Sequence, residues 1–203
     1  MTIFVTGGLG FIGSNFVFRY LKWHPSRYVV ILDNYSYAAD TRNILGLYED
    51  YRVKIERVDI CNFNRMKQLY EEYQPSKTFH FAAESHVDNS INGDDEFVHT
   101  NIVGTHNILK CIRKFGGRLI HVSTDEVYGS LGSDDPAFTE TTPYDPRNPY
   151  SATKAASDHL VRAYVNTHGI DAIVTNCSNN YGPRQHKEKF IPTVIRHIQN
   201  NQR

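Results

Sequence analysis

The sequence predicts an α/β fold, a doubly wound parallel sheet with strand order 3-2-1-4-5-6. Two observations carry that expectation. Short β-rich runs alternate with longer helical patterns along the 203 residues, the rhythm of βαβ units. The polar motifs also fall at or just past the ends of the runs, at 7–13, 33–36, 59–60, 82–86, 123–126 and 176–180. An open parallel sheet binds its ligands at those strand ends.

In chain order the strands are expected near 2–6, 28–33, 53–58, 78–83, 118–123 and 172–177. Helices are expected near 12–22, 40–49, 63–73, 95–115, 150–168 and 190–200. The first helix opens from a glycine-rich turn. The third is stopped by Pro75, and the fifth begins after Pro149. Between Gly129 and Pro149 the glycines and prolines predict a long surface loop. The last helix carries an apolar stripe, Phe190, Ile191, Val194, Ile195 and Ile198, that calls for a partner. The expected organisation is a dinucleotide-binding domain with the catalytic residues over 1–180, and the start of a substrate-binding region over 181–203.

Composition sets the class. Hydrophobic residues make up 40% and charged residues 22%, as in globular domains. Lys plus Arg and Asp plus Glu both number 22, which argues against a nucleic-acid partner. No apolar run approaches the roughly 18 residues of a membrane helix. The chain enters a strand at Thr2 without a signal-like segment. Cys61, Cys111 and Cys177 are odd in number and widely spaced, which predicts reduced thiols and a cytoplasmic setting. No metal-ligand spacing is visible, so no metal is expected.

Thr6-Gly-Gly-Leu-Gly-Phe-Ile-Gly13 follows the first strand. Gly7, Gly10 and Gly13 permit a tight turn and bring backbone N–H groups towards a pyrophosphate at a helix N-terminus. The spacing alone also suits a purely structural turn. Asp33 closes the second strand 20 residues past Gly13, placed to accept from an adenosine ribose. A carboxylate there repels a 2′-phosphate, which favours NAD over NADP. Asp59 and Ile60 end the third strand and are candidates to flank the adenine. Small Ala82 and Ala83 let a cofactor lie against the fourth strand's exit. Beside them His80 reads as a core histidine, whereas His86 stays ambiguous.

Tyr150 and Lys154 stand at i and i+4 on one helix face. A lysine cation beside the phenol is expected to lower its pKa, as suits a general base. Tyr73-Gln-Pro-Ser-Lys77 has the same spacing, but Pro75 breaks its helix. Thr124-Asp125-Glu126 closes the fifth strand. Two carboxylates in one site split into an acid and a base, a division that hydride transfer alone does not need and elimination of water does. The other reading of the pair is a solvated loop. Asn176 to Asn180 offer amides to a carboxamide or sugar, and the basic run from Arg184 to Lys189 suits a diphosphate.

Together these residues resemble the extended short-chain dehydrogenase/reductase family, and within it the nucleotide-sugar 4,6-dehydratases of the dTDP-glucose type. The likeness runs over nearly the whole chain, through Ala-Ala-Glu-Ser-His-Val-Asp, Ser-Thr-Asp-Glu-Val-Tyr-Gly, Tyr-Ser-Ala-Thr-Lys and Asn-Cys-Ser-Asn-Asn-Tyr-Gly-Pro. It implies a Rossmann-like fold and an NAD regenerated within each turnover. Tyr150 would take the sugar 4-hydroxyl proton with Lys154 and Thr124 in support. Glu126 would remove the C5 proton, and Asp125 would protonate the departing 6-hydroxyl. The likeness puts Phe11, Ile12, Asp33, Asn34, Tyr35, Ser36, Asp59, Ile60, Ala82, Ala83, Thr100 and Asn180 on the cofactor. It puts Ser85, Asn179, Lys189 and Phe190 on a nucleoside-diphosphate sugar.

It also implies a homodimer through helices 95–115 and 150–168, with Ile108, Ile112, Leu160 and Ala163 on the paired faces. UDP-glucose is the alternative substrate. A 4-epimerase, a decarboxylase or a non-catalytic NAD-binding fragment are the alternative functions. Such relatives typically lack the Asp-Glu pair. Asn34 stands where these dehydratases often have Lys, and 184–187 departs from a more aromatic segment. Their C-terminal substrate lobe has no counterpart within the 203 residues.

Overall fold

Six runs rich in Val, Ile and Phe pair as one parallel sheet in the order β3-β2-β1-β4-β5-β6. The structure, a computed structural model, describes residues 1–201. The strands are β1 (Thr2–Thr6), β2 (Tyr28–Asp33), β3 (Val53–Arg57), β4 (Lys77–His80), β5 (Arg118–Thr124) and β6 (Asp171–Cys177). The helices are α1 (Phe11–Trp23), α2 (Phe63–Tyr73), α3 (Val87–Asn92), α4 (Asp95–Phe97), α5 (Thr105–Phe115), α6 (Pro149–His168) and α7 (Phe190–Gln199). Gln202 and Arg203, the end of the expected substrate region, lie outside the described residues.

Side chains alternate across each strand, so a buried parallel strand must be apolar on both faces. Ile3, Val5, Val29 and Ile31 pack with Val17 and Leu21 of α1. Phe4, Val30, Leu32 and Leu119 face the other way, towards Leu69 and Tyr70 of α2, Ile108 and Ile112 of α5 and Val161 of α6. Ile108 and Ile112 are therefore core residues. This corrects their expected place on a paired outer face, because the opposite side of the sheet needs them as cover. Burial of each such side chain contributes about 1.5–3 kcal/mol.

The switch point of the sheet lies between β1 and β4, where the strand order reverses. Three expected elements differ in form. Residues 40–49 make a 3₁₀ turn, Thr41–Leu47, rather than an α-helix. Asp40 caps Arg42 N–H at 2.9 Å, and Ile44 has non-helical φ/ψ. The fourth strand stops at His80 rather than 83, since Ala82 N–H turns to the Thr6 hydroxyl (3.1 Å) instead of the ladder. The expected helix 95–115 is interrupted by a π-helical stretch, Val98–Gly104. There Asn101 leaves its own helix to bond the backbone of Glu84 at 2.9 and 3.0 Å. Helix α3 was not anticipated. No described helix is long and apolar enough to cross a membrane.

Candidate active site

The glycine loop is built on clashes that only hydrogen avoids. Gly7 has φ +67°, and a Cβ there would stand 2.8 Å from Ala82 N. A Cβ on Gly13 would stand 2.2 Å from Gly7 O. All three line the cleft, but Gly10 has more room, since a Cβ there would meet only Gly7 O, at 3.3 Å. It caps α1 with no side-chain bond, so the first N–H groups of the helix are left to whatever enters. Asp33 ends β2, buried, with Oδ2 accepting from Leu9 N–H and Oδ1 from Tyr35 N–H, both at 3.0 Å. Burial raises its pKa and the two N–H bonds hold it back. Each oxygen keeps a further acceptor site towards the cleft. A backbone cradle beside such a carboxylate fits a dinucleotide's pyrophosphate and ribose.

Phe11, Ile12, Asn34, Ser36, Ile60, Ala82, Ala83, Thr100 and Asn180 line this same cleft. Tyr35 and Asp59 do not. Tyr35 lies under the Arg57 guanidinium, 5.3 Å from its ring centroid, and Asp59 turns back to cap Cys61 N–H at 2.8 Å.

The acid–base groups gather where β5 ends. Thr124 caps a single 3₁₀ turn, Asp125–Tyr128, its Oγ1 accepting from Glu126 N–H at 3.2 Å. Asn148 caps α6, accepting from Ser151 N–H at 2.8 Å with Pro149 in the first turn. Helix α6 then brings Tyr150 and Lys154 to the cleft wall that holds Thr124 and Glu126. Asp125 is not among the cleft-lining residues. It accepts from the Thr124 hydroxyl at 3.4 Å, and its charge is felt at Tyr150.

Burial pushes the Tyr150 phenol up to about 12. Glu126, Cys177 and Asp125 contribute to that rise, and a hydrogen bond with Thr124 offsets it in part. This corrects the expected lowering by Lys154. The buried ammonium donates to Val122 O at 2.8 Å, and burial depresses its own pKa against the pull of Asp158.

The sequence reading missed the residues beneath. Asp158 is wholly buried, four residues past Lys154, with Oδ2 accepting from Ser123 at 2.8 Å and Tyr144 at 3.0 Å. His121 Nε2 stands 3.1 Å from Asp158 Oδ1. Burial alone would raise that carboxyl, but His121, Lys154 and Ser123 hold it below its ordinary value. One more turn of the Tyr150–Lys154 spacing places it on the same helix face, but its partners come from other segments.

Ser85, Asn179 and Lys189 line the outer cleft, and Lys189 Nζ donates to Ser85 O at 3.4 Å. Phe190 is 81% exposed at the start of α7 and does not line it. His86 lines the cleft, with Nε2 3.8 Å from Glu188. Arg184 pins the preceding segment to α1, donating to Asn15 Oδ1 at 2.8 Å with its guanidinium 4.3 Å from the Phe18 ring centroid. His80, by contrast, is buried between Thr6 and Thr105, at 2.7 and 3.0 Å. Among the described residues no group of three or more His, Cys, Asp or Glu is placed to hold a metal ion.

Residues 4–203 match the GDP-mannose 4,6 dehydratase family. The chain is 50% identical over 199 residues to the dTDP-glucose 4,6-dehydratase of Mycobacterium tuberculosis H37Rv, covering 98% of this chain and 59% of that protein. The Haemophilus influenzae dTDP-glucose 4,6-dehydratase is 47% identical over 205 residues, with 96% and 60% covered. The DesIV dTDP-glucose 4,6-dehydratase of Streptomyces venezuelae, solved with NAD bound, superposes with a TM-score of 0.94 at 42% identity. That match covers 99% of this chain and 63% of DesIV. The chain thus spans about 60% of the length of the curated relatives it matches.

Proposed function

The chain belongs to the GDP-mannose 4,6 dehydratase family, and from that premise we propose that it carries the NAD-binding and catalytic part of a nucleotide-sugar 4,6-dehydratase acting on dTDP-glucose. Residues 1–180 form the cofactor and catalytic unit in this reading, and 181–203 begin the substrate-binding region. The observation that carries it is Thr124-Asp125-Glu126 on a turn beside Tyr150, at the mouth of a glycine-cradled cleft. The identities to dTDP-glucose dehydratases favour that nucleotide over UDP. The free Cys61, Cys111 and Cys177 suit a reducing, cytoplasmic setting.

Gly7, Gly10, Gly13 and the start of α1 hold the NAD pyrophosphate, and Asp33 accepts from its adenosine ribose. NAD bound there supplies the acceptor and later the donor of one hydride, so none is consumed. Tyr150 accepts the proton of the sugar 4-hydroxyl, with Thr124 holding the same oxygen. The cofactor's positive ring would lower the cost of the phenolate, with Lys154 held by Val122 O in the same cleft wall. Once C4 is a ketone, the C5 hydrogen is acidic and Glu126 removes it. Asp125 gives a proton to the leaving 6-hydroxyl, and water departs. Ser85, Asn179 and Lys189 hold the nucleotide sugar, with Phe190 joining them at the outer edge.

A homodimer belongs to the same reading. With Ile108 and Ile112 in the core, its faces would use exposed Val98 and Val103 beside Leu160 and Ala163. Light scattering that finds only monomer at high concentration removes it. Mass spectrometry of dTDP-glucose and UDP-glucose incubations tests the activity. A product lighter by one water from dTDP-glucose is expected, and an unchanged mass with a galactose product would mean an epimerase instead.

A further inference from the structure

Asn148 joins two groups that the proposed reaction uses on neighbouring carbons. Its carboxamide is divided between them. Oδ1 accepts from Ser151 N–H at 2.8 Å, which caps the helix that carries Tyr150. Nδ2 donates to Glu126 Oε2 at 3.2 Å. The orientation of the amide follows from its partners. The Ser151 N–H can only donate, so the amide oxygen must face it, and the NH₂ is left for a carboxylate that can only accept when ionised.

The backbone around this contact is fixed on both sides. Asp145 N–H bonds Val127 O at 2.9 Å. Gly129, at φ +99°, lies so close to Asp145 that a Cβ would stand 2.8 Å from Asp145 O. Ser151, fully buried, returns its hydroxyl to Asn148 in a reciprocal capping box. The end of the 129–149 loop therefore lies against the Glu126 turn and delivers Asn148 with little freedom.

We infer that Asn148 is a positioning residue for elimination: its amide holds the Glu126 carboxylate in register with Tyr150, so that the base for C5 stands at a set distance from the base for the 4-hydroxyl. A donor on one oxygen fixes the carboxylate's rotation and leaves the other oxygen to receive the proton. A cap alone would not need this donor, since Ser and Asp cap a helix as well as Asn does. The inference rests on the dehydratase reading, because only that reaction requires Glu126 to act on C5.

The test uses the full-length protein loaded with NAD and given dTDP-glucose. Asn148→Ser keeps a cap and cannot reach Glu126. Asn148→Asp keeps the cap and sets a second carboxylate against the first. Three quantities are read: bound-nicotinamide absorbance for oxidation, solvent deuterium at C5, and water loss by mass. Both variants should keep thermal midpoints near the parent's and lose C5 exchange and water loss by up to about 100-fold. Oxidation should fall at least about tenfold less, and Asp should be the more damaging of the two. If oxidation and elimination fall by one common factor, or elimination stays at the parental rate, Asn148 is only a helix cap. Glu126→Gln, run alongside, separates the two failures. Absence of water loss in the parent overturns the dehydratase reading itself, parental elimination in Glu126→Gln overturns Glu126 as the base for C5, and loss in Glu126→Gln with intact Asn148→Ser and Asn148→Asp overturns only the role of Asn148. If Asn148→Asp does not fold, Asn148→Ser decides the question alone.

Discussion

To act as the proposed base, Tyr150 would have to give up a proton from a phenol that burial and three neighbouring acidic side chains hold near 12. Added positive charge in the cleft would bring it towards neutral pH, so the proposed first proton transfer would depend on a loaded cofactor site. Tyr150→Phe should therefore abolish all partial reactions together, by about 10²–10⁴-fold, in single-turnover assays. Glu126→Gln should still reduce bound NAD while C5 deuterium exchange falls on the same scale. Asp125→Asn should keep C5 exchange better than water loss, because only the leaving hydroxyl needs its proton. An Asp125→Asn that loses both equally would return Asp125 to the loop. Asp33 is tested by calorimetry with both cofactors: NADP should bind at least about 1–2 kcal/mol more weakly than NAD, and equal affinities would remove it from ribose recognition. The placement of Gly7, Gly13 and Asp33 was legible in the sequence because it is set by the local turn and its spacing. Asp158 and Asn148 were not, since their partners, Ser123, Tyr144 and Glu126, come from other segments that meet only in the fold.

Elements decide how these side chains meet. The β5–turn–α6 unit was readable because strand and helix each carry a local signal: the apolar run Leu119, Ile120 and Val122 before Thr124, and Pro149 at the helix start. The π-helical stretch was not readable. It exists because Asn101 serves Glu84 and the Thr153 hydroxyl (3.0 Å) and because Gly104 passes too close to Ile60 for a Cβ, 2.4 Å from its Cδ1. Nothing in the periodicity of 95–115 encodes that approach. The segment before α7 has a different logic. Arg184 sits at φ +71°, a strained backbone for a side chain, and is held there by Asn15 and the face of Phe18. Gln185, His186, Glu188 and Lys189 then line the cleft. Arg184→Ala should loosen that wall, so that bound NAD leaves about tenfold faster in a competitive dissociation assay, as expected for loss of one charged hydrogen bond. An unchanged rate would mean that the wall stands without its anchor.

At the scale of the whole molecule, the strand order was legible because six similar βα units admit few right-handed arrangements. What lay hidden was polar material inside the sheet. His80 and His121 are both buried, their rings 5.3 Å apart, one between two threonines and the other against Ser157 and Asp158. Burial drives both pKa values down, far down for His80. Unfolding releases each to the ordinary value near 6.5. Below that pH the unfolded chain binds protons that the folded chain refuses, so stability is full above about 6.5 and falls as pH falls. Each histidine contributes a slope of up to about 1.4 kcal/mol per pH unit in that window. Half-exposed His106, shifted the same way, adds less. Asp33 and Glu84 have raised pKa values and act with the opposite sign, gaining protons on folding at the acid end. The histidine window is therefore centred on their ordinary value, about pH 6.5. Urea unfolding across it should show stability dropping as pH falls, and His121→Gln should flatten the slope even where its own stability is lower. A variant with the parent's slope would mean that His121 takes up its proton without unfolding.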